Sequence, residues 1–156
     1  MKEGINLDAL FKSKEYEELV KKNNFNTIEF LLKKGVEFSI VAYTNVIKFD
    51  PPIPKEIIEF DKLALFLIAN YTFESASLDK DNFYIEAGFG TQNFGSFLTI
   101  PLEAIYQILI EDTLLNISYY KPINKEKILK KIDSMSILLN NPENLKLLKR
   151  KKRNKT

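Results

Sequence analysis

The hydrophobic pattern of the chain changes its period at Gly35, and this change constrains the fold more than any other feature. Before Gly35, apolar residues recur at helical spacing over 7–22 and again over 27–34. Asn23 and Asn24 interrupt that pattern, so two separate helices are predicted. Two lysines followed by Gly35 are typical of a helix C-terminus, where cations are favoured and glycine accepts positive φ.

After Gly35, apolar and polar residues alternate, which is the pattern of a strand with one buried face. The run 63–73 is apolar on both faces, so we expect it to be a central strand. Helical spacing after Pro101, in the segment LEAIYQILIED, predicts a further helix. The other predicted elements are a strand over 36–43 with a continuation at 46–49, a proline-rich loop at 51–54, a hairpin over 75–89 that turns at 79–82, a polar loop over 91–95, and strands at 96–100 and 114–119.

The order of these elements predicts an α+β domain over 1–122, in which N-terminal helices precede a mostly antiparallel curved sheet or small open barrel. Residues 123–156 are predicted to form a basic tail, with a helix over 125–139 and a short helix over 143–150. The tail holds eleven basic and three acidic residues, whereas 1–122 holds twelve basic and eighteen acidic residues. Such a division of charge often marks a tail that binds a partner.

The chain contains no cysteine and no histidine. Disulfides, classical zinc sites, Ser-His-Asp triads and Cys-His pairs are therefore excluded. Gly88, Gly90 and Gly95 lack the spacing and the Lys-Ser/Thr of a phosphate-binding loop. No motif holds two carboxylates at a fixed distance, so we predict a protein that is not an enzyme and has no metal or cofactor.

The N-terminus lacks the basic and then apolar pattern of a signal peptide. The longest apolar run, 63–69, is far shorter than the roughly 20 residues that a membrane-spanning helix needs. We therefore expect a cytoplasmic protein that does not associate with membranes.

The segment from Phe83 to Ile108, FYIEAGFGTQNFGSFLTIPLEAIYQI, resembles the core of the SspB family, bacterial adaptors that deliver tagged proteins to the ClpXP protease. The similar features are a strand that ends in Phe89-Gly90, a short loop, a strand that ends in Ile100-Pro101, and a following Leu-Glu-Ala-Ile segment. The resemblance extends over roughly residues 25–120. The loop after Gly90 is longer than is usual in that family.

The resemblance implies an Sm-like β fold, a homodimer, and a groove that binds an extended degradation-tag peptide. The helix at 7–22 or the helix after Pro101 would form the dimer contact. The residues expected to line the groove come from the 63–73 strand and from the Phe-Gly loop: Phe66, Ile68, Asn70, Phe89, Gly90, Asn93 and Phe94.

The family's acidic linker and protease-docking segment are replaced here by a short basic tail. Leu147, Leu148, Lys149 and Arg150 combine apolar and basic residues as the docking segment does, so they are the candidate contact with ClpX. A tethering tail would raise the effective concentration of substrate near the protease.

Two alternatives use other features of the sequence. An Sm-like RNA-binding module would hold the nucleic-acid backbone with the basic tail and stack bases on sheet aromatics such as Tyr43, Tyr71, Tyr84, Tyr119 and Tyr120. The acidic composition of residues 1–122 opposes that alternative. A structural or assembly protein would instead dock its tail helix on a partner.

Overall fold

The computed structural model describes residues 4–123, which contain three α-helices and eight strands. The tail helices predicted over 125–139 and 143–150 lie outside the described residues, as do Leu147, Leu148, Lys149 and Arg150. The boundary at 122 stays a prediction. The helices are α1 (Leu7–Lys12), α2 (Lys14–Lys34) and α3 (Asn70–Ser75), and the strands are β1 (Phe38–Tyr43), β2 (Lys48–Asp50), β3 (Leu63–Ile68), β4 (Ser77–Leu78), β5 (Asn82–Phe89), β6 (Phe94–Pro101), β7 (Ile105–Ile110) and β8 (Thr113–Ile117).

The two N-terminal helices are divided at Ser13, and the prediction of a break at Asn23 and Asn24 was wrong. Ser13 has extended backbone angles, and its hydroxyl accepts a hydrogen bond from the Tyr16 N–H, so it caps α2. The α2 helix then runs without interruption through both asparagines. At its end Gly35 takes the left-handed conformation (φ 69°), as predicted, and its N–H donates to carbonyls of the last turn.

The first sheet has the strand order β3-β1-β7-β8 and is antiparallel throughout. The prediction that 63–73 forms a central strand was wrong in two respects. The strand ends at Ile68 and α3 follows, and β3 lies at the edge of the sheet. Only one face of β3 is covered, because Leu65 and Leu67 are 63% and 64% exposed while Phe66 is buried.

The second sheet has the order β2-β6-β5-β4 and is also antiparallel. The predicted hairpin turn at 79–82 is confirmed. The Asp79 carboxylate stabilises it by accepting hydrogen bonds from the backbone N–H groups of Asp81 and Asn82, each at 2.8 Å. The predicted continuation over 46–49 becomes a 3-10 turn (Thr44–Val46) followed by β2, which crosses into this second sheet.

The segment after Pro101 forms a 3-10 turn (Leu102–Ala104) and then strand β7, so the prediction of a helix there was wrong. Ile105 and Ile108 are both fully buried, and this spacing of three imitates a helical face. A shift of register opposite Val41 and Ala42 inserts one extra residue into β7, which is how a strand buries residues three apart. This strand pairs with β1 and β8 and completes the first sheet.

The core lies between the inner faces of the two sheets and one face of α2. Apolar residues of α2, of the first sheet and of the second sheet pack together there, with fully buried members including Ile28, Ile40, Ile68, Phe83, Ile85, Leu98, Ile100 and Ile108. The prediction of an α+β domain with mostly antiparallel strands is confirmed. The strands form two four-stranded sheets that are not closed into a barrel.

Candidate functional site

The seven residues predicted to line a peptide groove do not lie on one surface. Phe66 and Ile68 are buried in the core, so their side chains present no surface to a peptide. Asn70 begins α3 with a left-handed backbone (φ 53°), and its N–H donates to the carboxylate of Glu37. The other four residues lie at the end of the β5–β6 hairpin.

At the hairpin end, Phe89 packs inward against three other phenylalanine rings, with ring centroids between 5.6 and 6.4 Å from its own. Phe94 is its cross-strand partner and is half-buried. Gly90 takes a left-handed conformation (φ 71°), and a Cβ there would lie 2.7 Å from a methyl carbon of Ile57. These residues shape the hairpin, and Asn93 also lines a cavity.

That cavity, which we call the Gly88 groove, has a volume of about 390 Å³ and lies on the second sheet. Its floor is the cross-strand pair Gly88 and Gly95, which carries no side chain. The remaining lining residues are Asp50, Tyr71, Glu86, Ala87, Asn93, Ser96 and Phe97.

The Gly88 groove is acidic and aromatic. The Tyr71 hydroxyl donates a hydrogen bond to the Glu86 carboxylate, and that bond raises the pKa of Tyr71 above its usual value. Tyr84 stacks on Phe97 with ring centroids 6.0 Å apart and an angle of 20° between the planes. The Tyr84 hydroxyl donates to Asp79, which raises the pKa of Tyr84 and lowers that of Asp79.

A second groove, the α2–β8 groove, separates helix α2 from edge strand β8. It consists of two adjoining cavities of about 380 and 490 Å³ that share four lining residues. Its lining residues carry no charge, although 28% of the chain is charged. They are Tyr16, Val20, Asn23, Asn24, Asn26, Thr27, Phe30, Leu31, Val36, Ile110, Leu115, Asn116, Ile117 and Ser118.

One end of the α2–β8 groove is lined by amides. The Asn116 Nδ2 donates to the Asn24 Oδ1 at 3.2 Å and to the Asn23 carbonyl at 3.3 Å, and Thr27 donates its hydroxyl to the Asn116 Oδ1 at 3.1 Å. These bonds hold β8 against α2 and set the width of the groove. Asn23 and Asn26 are exposed and lie on the helix wall of the groove.

Asn24 is the buried support of this wall. Its Nδ2 donates to the Leu102 carbonyl at 2.9 Å and to the Ile105 carbonyl at 3.1 Å, while its Oδ1 accepts from Asn116. Every polar atom of the Asn24 amide group is therefore engaged, as a buried amide requires. The tertiary hydrogen bonds explain why this asparagine is accommodated within α2 and does not end it.

The other end of the α2–β8 groove is apolar. Phe30 on α2 is 51% exposed, and Leu115 on β8 is exposed across from it. Leu31, Val36 and Ile110 complete this end. An apolar recess of this kind accepts one large apolar side chain.

The strand wall of the groove is the free edge of the first sheet. Within residues 4–123, β8 pairs with β7 on one side and has no strand partner on the other. Thr113, Leu114, Leu115 and Ile117 are exposed along it. A free strand edge presents backbone N–H and C=O groups that can pair with an added strand.

Sequence reasoning missed the α2–β8 groove because its two walls lie about ninety residues apart in the chain. The available signal was the polar but uncharged run of Asn23, Asn24, Asn26 and Thr27 in a helix otherwise rich in lysine and glutamate. From local pattern alone, Asn23 and Asn24 in that run predict a helix break.

No family model and no curated protein matches the chain. In the part of the chain that the structure describes, no helix combines the length and the apolar character needed to cross a membrane.

Proposed function

We propose that this protein is a non-enzymatic adaptor that binds an extended peptide along β8, in the α2–β8 groove. The observation that carries the proposal is the combination of a free strand edge with a long, charge-free groove beside it. Peptides that add a strand to a sheet gain affinity from main-chain hydrogen bonds and specificity from pockets for alternate side chains.

The groove lining supports each part of this binding mode. The exposed Asn23 and Asn26 lie on the wall that faces β8, where their amide groups can both donate to and accept from a peptide. The recess beside Phe30 and Leu115 provides a place for one apolar side chain of the peptide. Because no lining side chain is charged, a peptide segment without charge enters the groove without leaving a buried ion unpaired.

The proposed partner is a protein that carries a degradation tag, which the adaptor would deliver to the ClpXP protease in the cytoplasm as a homodimer. This part of the proposal rests on the resemblance of the 83–108 segment to the SspB family. The chain differs from the family pattern in its loop after Gly90 and in its tail. It also differs at β7, which is a strand where the family pattern predicts a helix. The dimer contact is accordingly assigned to the N-terminal helices.

Tyr119 is 55% exposed and its ring stacks on Phe11, so it is the one stacking candidate left to the RNA-binding alternative among its five tyrosines. Tyr43 and Tyr120 are buried and offer no face for stacking. Tyr71 and Tyr84 are hydrogen-bonded to the carboxylates of Glu86 and Asp79, which repel phosphate. We therefore propose a single function.

The test is fluorescence polarisation of the purified protein with a labelled peptide that carries the trans-translation tag, with a scrambled peptide as control. We expect selective binding at micromolar concentration or tighter. Phe30→Glu places a charge in the recess and should weaken binding at least tenfold.

The matched control is Leu65→Glu. Leu65 is also an exposed apolar residue, with an exposure of 63%, and it lies on β3, outside both the groove and the N-terminal helices. It should leave the affinity unchanged. Absence of tag-selective binding would refute the adaptor function, and equal weakening by both variants would refute the assignment to this groove.

A further inference from the structure

The Gly88 groove is built differently from the α2–β8 groove, and its chemistry points to a separate ligand. Three residues form one row across the second sheet, since Asp50 is the cross-strand partner of Phe97 and Glu86 is the partner of Phe97 on its other side. Residues directly opposite one another share a face of the sheet. The exposed ring of Phe97 is thus flanked by two carboxylates.

The floor next to this row is open. Gly88 and Gly95 pair across the strands, and a Cβ added at Gly95 would meet no atom within 4 Å. A Cβ added at Gly88 would instead lie 1.7 Å from the Asn93 Oδ1, so the Asn93 side chain lies directly over that glycine. The two glycines leave room beside the Phe97 ring, with a polar amide oxygen at the far end.

The walls hold the carboxylate of Glu86 in place. Tyr71, from α3, is 63% exposed and donates its hydroxyl to Glu86, and Tyr84 stacks on Phe97 from the next row of the sheet. The face also carries one basic residue, Lys48, which lies in the row of Thr99 and Tyr84 and does not line the groove.

From this arrangement we infer that the Gly88 groove binds a cationic side chain, specifically the guanidinium group of an arginine in a partner protein. A planar guanidinium stacks on an aromatic ring and donates in its own plane to carboxylates on both sides. The row Asp50–Phe97–Glu86 offers such a ring between two carboxylates, and the cavity of about 390 Å³ accommodates one side chain. This inference is independent of the proposed peptide groove.

The test is a titration of the ¹⁵N-labelled full-length protein followed by NMR, with the peptide Ac-Gly-Arg-Gly-NH₂ as probe. The matched control peptide replaces arginine with citrulline, which has nearly the same shape and no charge. We expect saturable shifts of the Gly88, Gly95 and Phe97 amides with the arginine peptide, and at least tenfold weaker binding of the citrulline peptide.

Two variants test whether binding depends on a carboxylate of the groove or on the negative charge of the surface in general. Glu86→Gln removes one flanking charge and should weaken binding about tenfold, whereas Glu59→Gln removes an exposed carboxylate outside the groove and should have no effect. Phe97→Ala should weaken binding as well, with a dispersed spectrum showing that the fold is retained.

Equal affinity for the two peptides would overturn the inference. So would shifts that centre on residues outside the Gly88 groove, or equal effects of Glu86→Gln and Glu59→Gln.

Discussion

The α2–β8 groove and the Gly88 groove differ in charge, and the difference follows from how each is assembled. The α2–β8 groove joins the N-terminal helix to the last strand of the first sheet and is lined without a charged side chain. The Gly88 groove lies on three neighbouring strands of the second sheet and contains two carboxylates beside an exposed aromatic ring. The first suits a peptide backbone, and the second suits a cation.

The comparison shows that the two sheets of a small domain can form grooves with different linings. In the α2–β8 groove the amides that set the width are themselves hydrogen-bonded to one another, so the walls are preorganised. In the Gly88 groove the glycine pair supplies the space, and the surrounding side chains are fixed by tyrosine hydrogen bonds. We therefore expect that a substitution in one groove weakens binding there and leaves binding in the other groove unchanged.

The largest expected effect is that of Asn24→Ala on the α2–β8 groove. The substitution removes the Asn24 donor from the carbonyls of Leu102 and Ile105 in the interior, where the Leu102 carbonyl keeps only the Ile105 N–H of its own turn, and it removes the acceptor of Asn116. We expect a loss of about 3 kcal/mol in the free energy of unfolding, measured by urea denaturation. Asn26→Ala, an exposed asparagine of the same helix wall, should change it by less than about 0.5 kcal/mol.

A loss in Asn24→Ala no larger than in Asn26→Ala would contradict the proposed support of the groove wall. Folded Asn24→Ala should still bind the arginine peptide, because Asn24 is not part of the Gly88 groove.

The next largest effect concerns the stability of the fold at alkaline pH, which depends on the buried Tyr120. Burial raises the pKa of Tyr120 to about 12, with a further contribution from Glu17 of α2. A tyrosine whose folded pKa exceeds its unfolded value of about 10 stabilises the fold below pH 10, and this contribution is lost as the pH rises from 10 towards 12. Between pH 9 and pH 12 the wild type should lose about 2 kcal/mol more stability than Tyr120→Phe.

Urea denaturation of both proteins at the two pH values measures this difference, and the titrations common to both cancel. Identical losses in the two proteins would mean that Tyr120 ionises as freely as it does in the unfolded chain.

The smallest expected effects are the losses of stability on replacing two glycines of the β5–β6 hairpin, Gly90 and Gly88, with alanine. Gly90→Ala forces a side chain into the left-handed region and against Ile57, and it should cost about 1–2 kcal/mol. Gly88→Ala should cost less than about 1 kcal/mol, because its new Cβ displaces only the end of the Asn93 side chain. Gly88→Ala should nevertheless reduce binding of the arginine peptide.

Thermal unfolding and the NMR titration measure the two quantities. The double variant Gly88→Ala, Asn93→Gly should recover the lost stability, since the displaced group is gone and glycine accepts the positive φ (52°) of residue 93. No recovery would show that the strain at Gly88 lies in the backbone.

Much of the fold could be predicted from local patterns. The change of period at Gly35, the alternation in β1 and β5, and the turn at 79–82 each depend on residues close together in the chain. The errors arose where tertiary structure overrides local preference. Asn24 stays helical because distant carbonyls accept from it, and β7 imitates a helix because a bulge places Ile105 and Ile108 on one face.

The site was harder to predict than the fold. Phe66 and Ile68 are apolar residues of β3, and the sequence does not reveal that they face the core while Leu65 and Leu67 face outward on an edge strand. The pairing of Asn24 with Asn116 joins positions 92 residues apart, and no local spacing encodes it. Asn93 lines the Gly88 groove, and its role in binding a peptide stays a prediction.

The central claim, that a peptide adds to the free edge of β8, is tested most directly by amide hydrogen exchange with and without the tag peptide. The first sheet has two edges, and β3 is the internal control because it also exposes leucines. The account predicts slower exchange for amides of β8 and unchanged exchange for amides of β3. Slower exchange at β3, or in the β5–β6 hairpin without any change at β8, would contradict it.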